Sequence, residues 1–315
     1  MEATPATLPA ARRAPSFAKR AKRFVRYVFV RFGAALVGLL PARTASSLGS
    51  TLGALAFRVA RGERQKALES LCIAFPHLSG EEVYELARDC FRHLGRMMLE
   101  LVCVEQLDRA SAEWVEWPAE DRAVLDRALA AKKGVVFVSG HVGSWELLAR
   151  TVSLAGYPCQ TIAKETSDPR TTRLVERFRE SSKLKSIWRG KDGAAKAMLR
   201  ALKQGEILGL LIDQDTEVQS VWVPFFGRPA KTPRAAADLA LRTGAKVVLG
   251  FCQRHGERYR LSMQEVSAEG LEGEEGARVL TERLTAGIEA AIRSAPEQWV
   301  WMHRRWKSSP PNQSS

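Results

Sequence analysis

Residues 134–146 read GVVFVSGHVGSWE, and this stretch decides the fold. Val135–Val138 is a β-branched and aromatic run with the pattern of a buried strand. Ser139 and Gly140 break it, and His141 follows at its carboxyl end. Ser144 is placed to cap a helix starting at Trp145, with Glu146 in the first turn. In open α/β sheets ligands gather at the carboxyl ends of strands. An imidazole there can take a proton near neutral pH. A carboxylate five positions on, kept ionised by the helix dipole, is placed to fix its tautomer as the third member of a hydrolase triad does. The sequence holds no G-x-S-x-G elbow, and the stretch has no cysteine. The attacking hydroxyl of a His141–Glu146 dyad would then come from the substrate, which points to acyl transfer to an alcohol. The alternative is a structural histidine beside an unrelated surface glutamate.

A chain of 315 residues can hold one large α/β domain plus a helical appendage. The net charge of +13 implies anionic partners: nucleic acid, anionic lipid or an acidic carrier protein. Cys72, Cys90, Cys103, Cys159 and Cys252 are scattered, mostly in apolar contexts and without a C-x-x-C pair. That usage argues against disulfides and zinc, and for a reducing compartment with core cysteines.

Taken in order, residues 1–22 read as a disordered basic tail, and 23–60 as apolar helices at a membrane. Aromatic and β-branched residues are interleaved with the basic ones from Arg12 to Arg31, which fits an anionic membrane surface. Pro41 divides the apolar stretch, so two short helices dipping into one leaflet compete with a single span. Gly49-x-x-x-Gly53 permits a close helix contact. Residues 61–117 read as helical, with Ser79-Gly-Glu-Glu82 as a capping box opening a helix towards Glu105. Glu100 and Glu105 near its end read as a solvated face, with the lining of a site as the alternative. Residues 118–307 carry a βαβ rhythm, and 308–315 read as a tail. Strands are expected at 113–117, 135–138, 159–163, 207–212, 246–252 and 258–263. Asp168-Pro169 and Thr232-Pro233 are expected to open helices. The fold class is α/β: a mixed, mostly parallel central sheet flanked by helices.

Three further stretches look chemical. Asp213-Gln214-Asp215 follows a strand at the sheet edge that carries His141, either as site carboxylates or as turn and cap residues. Val221–Gly227 is too apolar for an exposed loop in water, and reads as core or as the lining of a lipid-chain groove. Gln298–Lys307, QWVWMHRRWK, suits a membrane interface or packing on the sheet with its basic residues in water.

Together these pieces resemble the bacterial lipid A biosynthesis acyltransferases, the late lauroyl and myristoyl transferases. The likeness rests on H-x4-E after a strand, DQD after another, VPFFGRPAKTPRAAADLALRTGAKV, IAFPHLSGEE and the QWVWMHRRWK ending, and runs from about Phe24 to Lys307. H-x4-E is shared with glycerolipid acyltransferases at large; the DQD-to-FFG block and the tryptophan-rich ending are more specific. The resemblance implies a glycerolipid acyltransferase-like fold and an inner-membrane enzyme facing the cytoplasm. It implies transfer of a fatty acyl group from acyl carrier protein to a hydroxyl of a glucosamine-based lipid. His141 would be the general base and Glu146 its partner. Asp213 and Asp215 would support the site, and Phe225 and Phe226 would shape the acyl groove. Such proteins usually present an arginine after the 159–163 strand; here Lys164 stands there, which supplies charge without a bidentate fork. Arg177, Arg179 and Arg189 are candidates to compensate. Backbone N–H groups near Gly143–Trp145, or a nearby cation, would steady the oxyanion.

No metal or organic cofactor is required by this reading. The partners implied are acyl carrier protein, an anionic lipid acceptor and the inner membrane, and no nucleic acid. One rival is an enzyme of the same fold acting on a mannosylated, ornithine or glycerol lipid, or using acyl-CoA. The other is a non-enzymatic basic protein binding nucleic acid or membrane, against which stands the absence of any zinc spacing or nucleic-acid motif.

Overall fold

The computed structural model describes residues 17–311. Its helical lead comprises α1 (Phe17–Gly38), α2 (Ala42–Val59), α3 (Arg61–Ala74), α4 (Gly80–Val102), α5 (Val104–Arg109) and α6 (Ser111–Trp114). An edge strand β1 (Val115–Glu116) and helix α7 (Ala119–Ala130) then precede β2 (Val135–Ser139). Alternation continues through α8 (Trp145–Leu154), β3 (Cys159–Ala163), α9 (Pro169–Glu180), β4 (Lys185–Trp188), α10 (Ala194–Lys203) and β5 (Ile207–Leu211). A hairpin of β6 (Ser220–Phe225) and β7 (Arg228–Pro233) follows, then α11 (Ala235–Thr243), β8 (Lys246–His255), β9 (Arg258–Glu265) and α12 (Gly273–Ser294).

Among the described residues the main sheet has seven strands in the order β1-β9-β8-β2-β5-β3-β4. Every neighbouring pair is parallel except β8 and β9. Strand β2 is buried along its whole length, and its side chains alternate between two cores. Val135 and Phe137 join Leu147, Leu148 and Val248 on one face, while Val136 and Val138 join Leu208, Leu249 and Trp299 on the other. The sheet is therefore mostly parallel and covered on both sides, as the apolar runs require.

Local signals explain several boundaries. Ser79 and Glu82 form the expected reciprocal capping box at α4. The Asp168 side chain accepts the Arg170 backbone N–H at the start of α9, with Pro169 in the first turn. Pro41 separates α1 from α2. Other boundaries differ from expectation. Helix α1 begins at Phe17, inside the stretch read as tail; residues 1–16 and 312–315 lie outside the described residues. Strand β4 and the hairpin carry no clean alternation, and Thr232-Pro233 ends β7 instead of opening α11. No helix among the described residues is long and apolar enough to cross a membrane.

Two features tie the helical lead to the sheet. Gly49 and Gly53 of α2 lie against α4, where a Cβ at Gly53 would run into the Phe91 carbonyl and one at Gly49 into the Gly95 carbonyl. Only hydrogen side chains allow this approach, which realises the Gly-x-x-x-Gly contact. Glu100 corrects an expectation. Rather than facing water it is 1% exposed, and it accepts hydrogen bonds from Ser46 Oγ at 2.6 Å, Tyr259 Oη at 2.6 Å and the Arg254 guanidinium. Its anionic oxygens satisfy donors from α2, β8 and β9 at once, so burial is compensated. Glu105, by contrast, is solvent-exposed beside Arg109.

Buried His93 on α4 faces the Gly143 carbonyl across 3.4 Å, just past His141. Burial drives its imidazole down to about 4, against the opposing hydrogen bond to Gly143. An unfolded histidine titrates near ~6.5, so the unfolded chain binds the extra proton first, and stability falls as pH drops from there through about 4. Integrated over that window the loss is of order ~3 kcal/mol. His93→Gln should therefore shrink the difference in urea midpoint between pH 7 and pH 5; an unchanged difference assigns the acid sensitivity elsewhere. Gly53→Ala should cost ~2–3 kcal/mol by overpacking, read as a lowered urea midpoint at pH 7. A neutral effect would show that α2 and α4 separate freely.

Candidate active site

Strands β2 and β5 run parallel with Ser139 opposite Leu211. Two residues further along each chain stand His141 and Asp213, so the register brings an imidazole and a carboxylate together at the carboxyl rim of the sheet. His141 Nδ1 lies 2.8 Å from Asp213 Oδ1, and the His141 backbone N–H donates to Asp213 Oδ2 at 2.6 Å. Trp299 Nε1–H donates to the same Oδ2 at 2.8 Å. Gly140 makes room for this approach, since a Cβ there would sit 3.1 Å from Asp213 Oδ2. The Asp213 side chain is 1% exposed and that of His141 22%.

Burial pushes the Asp213 carboxyl up, but the imidazole charge and the hydrogen bonds from His141 and Trp299 outweigh it and hold the group at about 2. An ionised Asp213 makes Nδ1 the protonated nitrogen of a neutral His141. Nε2 then carries the lone pair, and it has no hydrogen-bond partner among the described residues. This is the geometry of a general base whose imidazolium is stabilised from behind.

The expected His141–Glu146 pair is corrected by these contacts. Glu146 is held instead by Arg179, whose Nε–H donates to Oε2 at 3.0 Å and whose Nη2 donates to Oε1. Glu146 sits in the first turn of α8 and Arg179 in the last turn of α9, so both charges suit their helix ends. Arg179 is 8% exposed, and its Nη1 also donates to Ser186 Oγ at 3.1 Å. Parallel register, rather than proximity along the chain, decides which carboxylate meets the imidazole.

Beside His141 stands Trp145, with ring centroids 5.0 Å apart. Trp145 and the Glu146–Arg179 pair form part of the lining of a pocket of about 610 Å³, partly open to solvent. Its walls are otherwise largely apolar, among them Phe137, Leu148, Val152, Ile162 and Leu210.

Other expected residues fall in different places. Phe225 and Phe226 do not line this pocket; they are buried in an aromatic cluster with Phe75, Trp299, Trp301 and Trp306. Tryptophans large enough to fill the space under the hairpin claim these rings for the core. Asp215 is 1% exposed and accepts the Ser308 backbone N–H at 3.2 Å, with Oδ1 left buried and unpartnered. Lys164 and Arg189 are both exposed and directly follow the paired positions Ala163 and Trp188 of β3 and β4. The backbone N–H groups of Gly143 and Ser144 donate to the Gln298 and Cys252 carbonyls, so neither is free for an oxyanion.

Two site residues escaped the sequence reading. Trp299 is one, concealed in a stretch read as a belt or a packed tail. His303 is the other. Burial lowers its pKa, the Asp213 carboxylate opposes that, and His141 adds to it, so His303 lies within electrostatic reach of the pair. Its Nε2 is buried and unpartnered. Arg305 in the same stretch is fully buried rather than in water, and burial brings its guanidinium down to about 10 against the pull of Asp213 and Asp215.

Against known proteins, residues 15–308 match the model of the bacterial lipid A biosynthesis acyltransferase family. The lipid A biosynthesis palmitoleoyltransferase of Escherichia coli (strain K12) is 29% identical over 300 residues, covering 92% of this chain and 94% of that protein. The lipid A biosynthesis lauroyltransferase of the same organism is 29% identical over 283 residues, covering 87% and 89%. A phosphatidylinositol mannoside acyltransferase of Mycobacterium tuberculosis (strain ATCC 25618 / H37Rv) is 23% identical over 184 residues, covering 58% and 57%. With a match spanning helical lead, sheet and tryptophan-rich ending alike, this chain belongs to the bacterial lipid A biosynthesis acyltransferases.

Proposed function

We propose that the protein transfers a fatty acyl group from an acyl carrier protein thioester to a hydroxyl of a glucosamine-based lipid A precursor, at the cytoplasmic face of the bacterial inner membrane. The observation that carries the reading is the His141–Asp213 pair beside a largely apolar pocket. Asp213 holds the Nδ1–H tautomer, and Nε2 removes the acceptor hydroxyl proton. The acceptor oxygen attacks the thioester carbonyl carbon, the tetrahedral oxyanion collapses, and the C–S bond breaks. The imidazolium returns its proton to the departing thiolate. The acyl chain lies in the pocket lined by Phe137, Leu148 and Val152. The net charge of +13 favours an acidic carrier as donor. The partial match to phosphatidylinositol mannoside acyltransferases supports a second reading, in which the acceptor is a mannosylated lipid.

A membrane location is supported by two exposed apolar stripes. Phe24, Val28, Phe32 and Leu36 repeat every fourth residue on α1, and Leu48, Leu52, Leu55 and Val59 follow one face of α2. Leu39 between them is 81% exposed. Faces of this size seek an apolar partner.

His141→Ala should abolish transfer, and Asp213→Asn should lower kcat by ~10³–10⁴-fold, as loss of the correct tautomer does in a triad. Glu146→Gln should cost only about tenfold, because it leaves the imidazole's own carboxylate in place. Mass spectrometry of products from a panel of acyl carrier protein and CoA thioesters, with glucosamine-based and mannosylated acceptors, reads all three and the substrates together. Equal loss in Glu146→Gln and Asp213→Asn would remove Asp213 from its role. Leu52→Glu with Val59→Glu should lower partition into vesicles roughly tenfold or more, measured by co-sedimentation; unchanged partition would place the membrane contact elsewhere.

A further inference from the structure

Helix α9 carries a second candidate site that shares no residue with the first. Arg170, Arg173 and Arg177 repeat at helical spacing along it, and with Leu174 and with Tyr27 of α1 they line a pocket of about 350 Å³, partly open to solvent. The Arg170 guanidinium packs over the rings of Phe24 and Tyr27, at 5.0 and 5.8 Å from their centroids. Its Nη1 is nevertheless buried without a hydrogen-bond partner. The nearest carboxylate oxygen, on Asp168, is 4.0 Å away, beyond hydrogen-bond reach, and that side chain also caps α9. Among the described residues the side chains of Arg173 and Arg177 enter no ion pair and no hydrogen bond. Arg179 on the same helix is fully engaged by Glu146 and Ser186. Nor can α1 supply a counter-charge, for no acidic residue lies between Glu2 and Glu63.

Three guanidinium groups converge with only the Asp168 carboxylate near them, 4.0 Å from a buried Arg170 nitrogen that no hydrogen bond satisfies, and so form a receptor for a polyanion with several oxygens. The source of that anion is indicated by α1. Phe24 and Val28, on either side of Tyr27, begin the exposed apolar stripe that runs on through Phe32 and Leu36. A ligand seated on the arginines thus has its polar end at the pocket and an apolar surface leading away from it, the arrangement of a lipid headgroup and its chains. We infer that the α1–α9 pocket binds the phosphate of a membrane lipid headgroup. The inference does not rest on acyl transfer, since neither His141 nor Asp213 takes part.

The test is binding of the full chain to vesicles of phosphatidylcholine alone, with phosphatidic acid, and with a carboxylate lipid at matched surface charge. Wild type and His141→Ala should both prefer the phosphatidic acid vesicles. A variant with Arg170→Lys, Arg173→Lys and Arg177→Lys keeps its charge but loses its forks. It should fall about tenfold or more on phosphatidic acid and stay within about twofold on the carboxylate lipid. Circular dichroism checks that it folds. Equal binding of the lysine variant and wild type to phosphatidic acid would overturn the site as mere charge attraction. Inorganic phosphate binding as tightly as the vesicles would overturn the lipid assignment. So would loss of acyl carrier protein binding in the lysine variant with vesicle binding unchanged.

Discussion

The contact on which the site depends is made by the sheet before any side chain is considered. Pairing Ser139 with Leu211 commits the next residues of β2 and β5 to the same rim, and the two chemically distinctive ones are His141 and Asp213. A carboxylate that is almost wholly buried would ordinarily be expensive to ionise. Here three N–H donors, one of them on the imidazole, together with the electrostatic pull of that ring outweigh the cost, so the group meant to support a proton transfer stays charged. Slipping the β2–β5 register by a single residue would separate the pair and leave the two side chains on opposite faces of the sheet.

The surroundings enforce that register. Trp299 reaches Asp213 from beyond α12, and its own position is held by bridging to Val142 and by the aromatic cluster that also takes Phe225 and Phe226. Helix α4 closes the loop from outside through His93. The helical lead is therefore part of the site's architecture and not an appendage to a self-sufficient α/β unit.

The sequence told much of this, unevenly. Strands read as continuous apolar runs, such as Val135–Val138 and Ile207–Ile212, are strands, and proline and capping signals located α4, α9 and the break at Pro41. Pairing across a parallel sheet leaves no local trace, so sequence spacing favours the carboxylate five residues from His141 over the one that lies 72 residues away. The same blindness hid Glu100, whose partners come from three distant elements, and Trp299, whose indole N–H distinguishes it from an ordinary core tryptophan only once Asp213 is beside it. Phe225 and Phe226 show the converse: their apolar character is legible and fits core or groove, and it is the surrounding tryptophans, invisible to local pattern, that assign them to the core.

The Glu100 cluster has a consequence for how such a chain can vary. Burial and the adjoining carboxylate push the Tyr259 phenol well above its ordinary value, so it remains an obligate donor. Ser46 and Arg254 donate to the same acid, leaving a knot of four side chains on four different segments with little water to absorb a mismatch. Substituting one of them strands the others. Natural drift at positions 46, 100, 254 and 259 should thus proceed in concert, as a single inherited unit exchanged whole or kept whole.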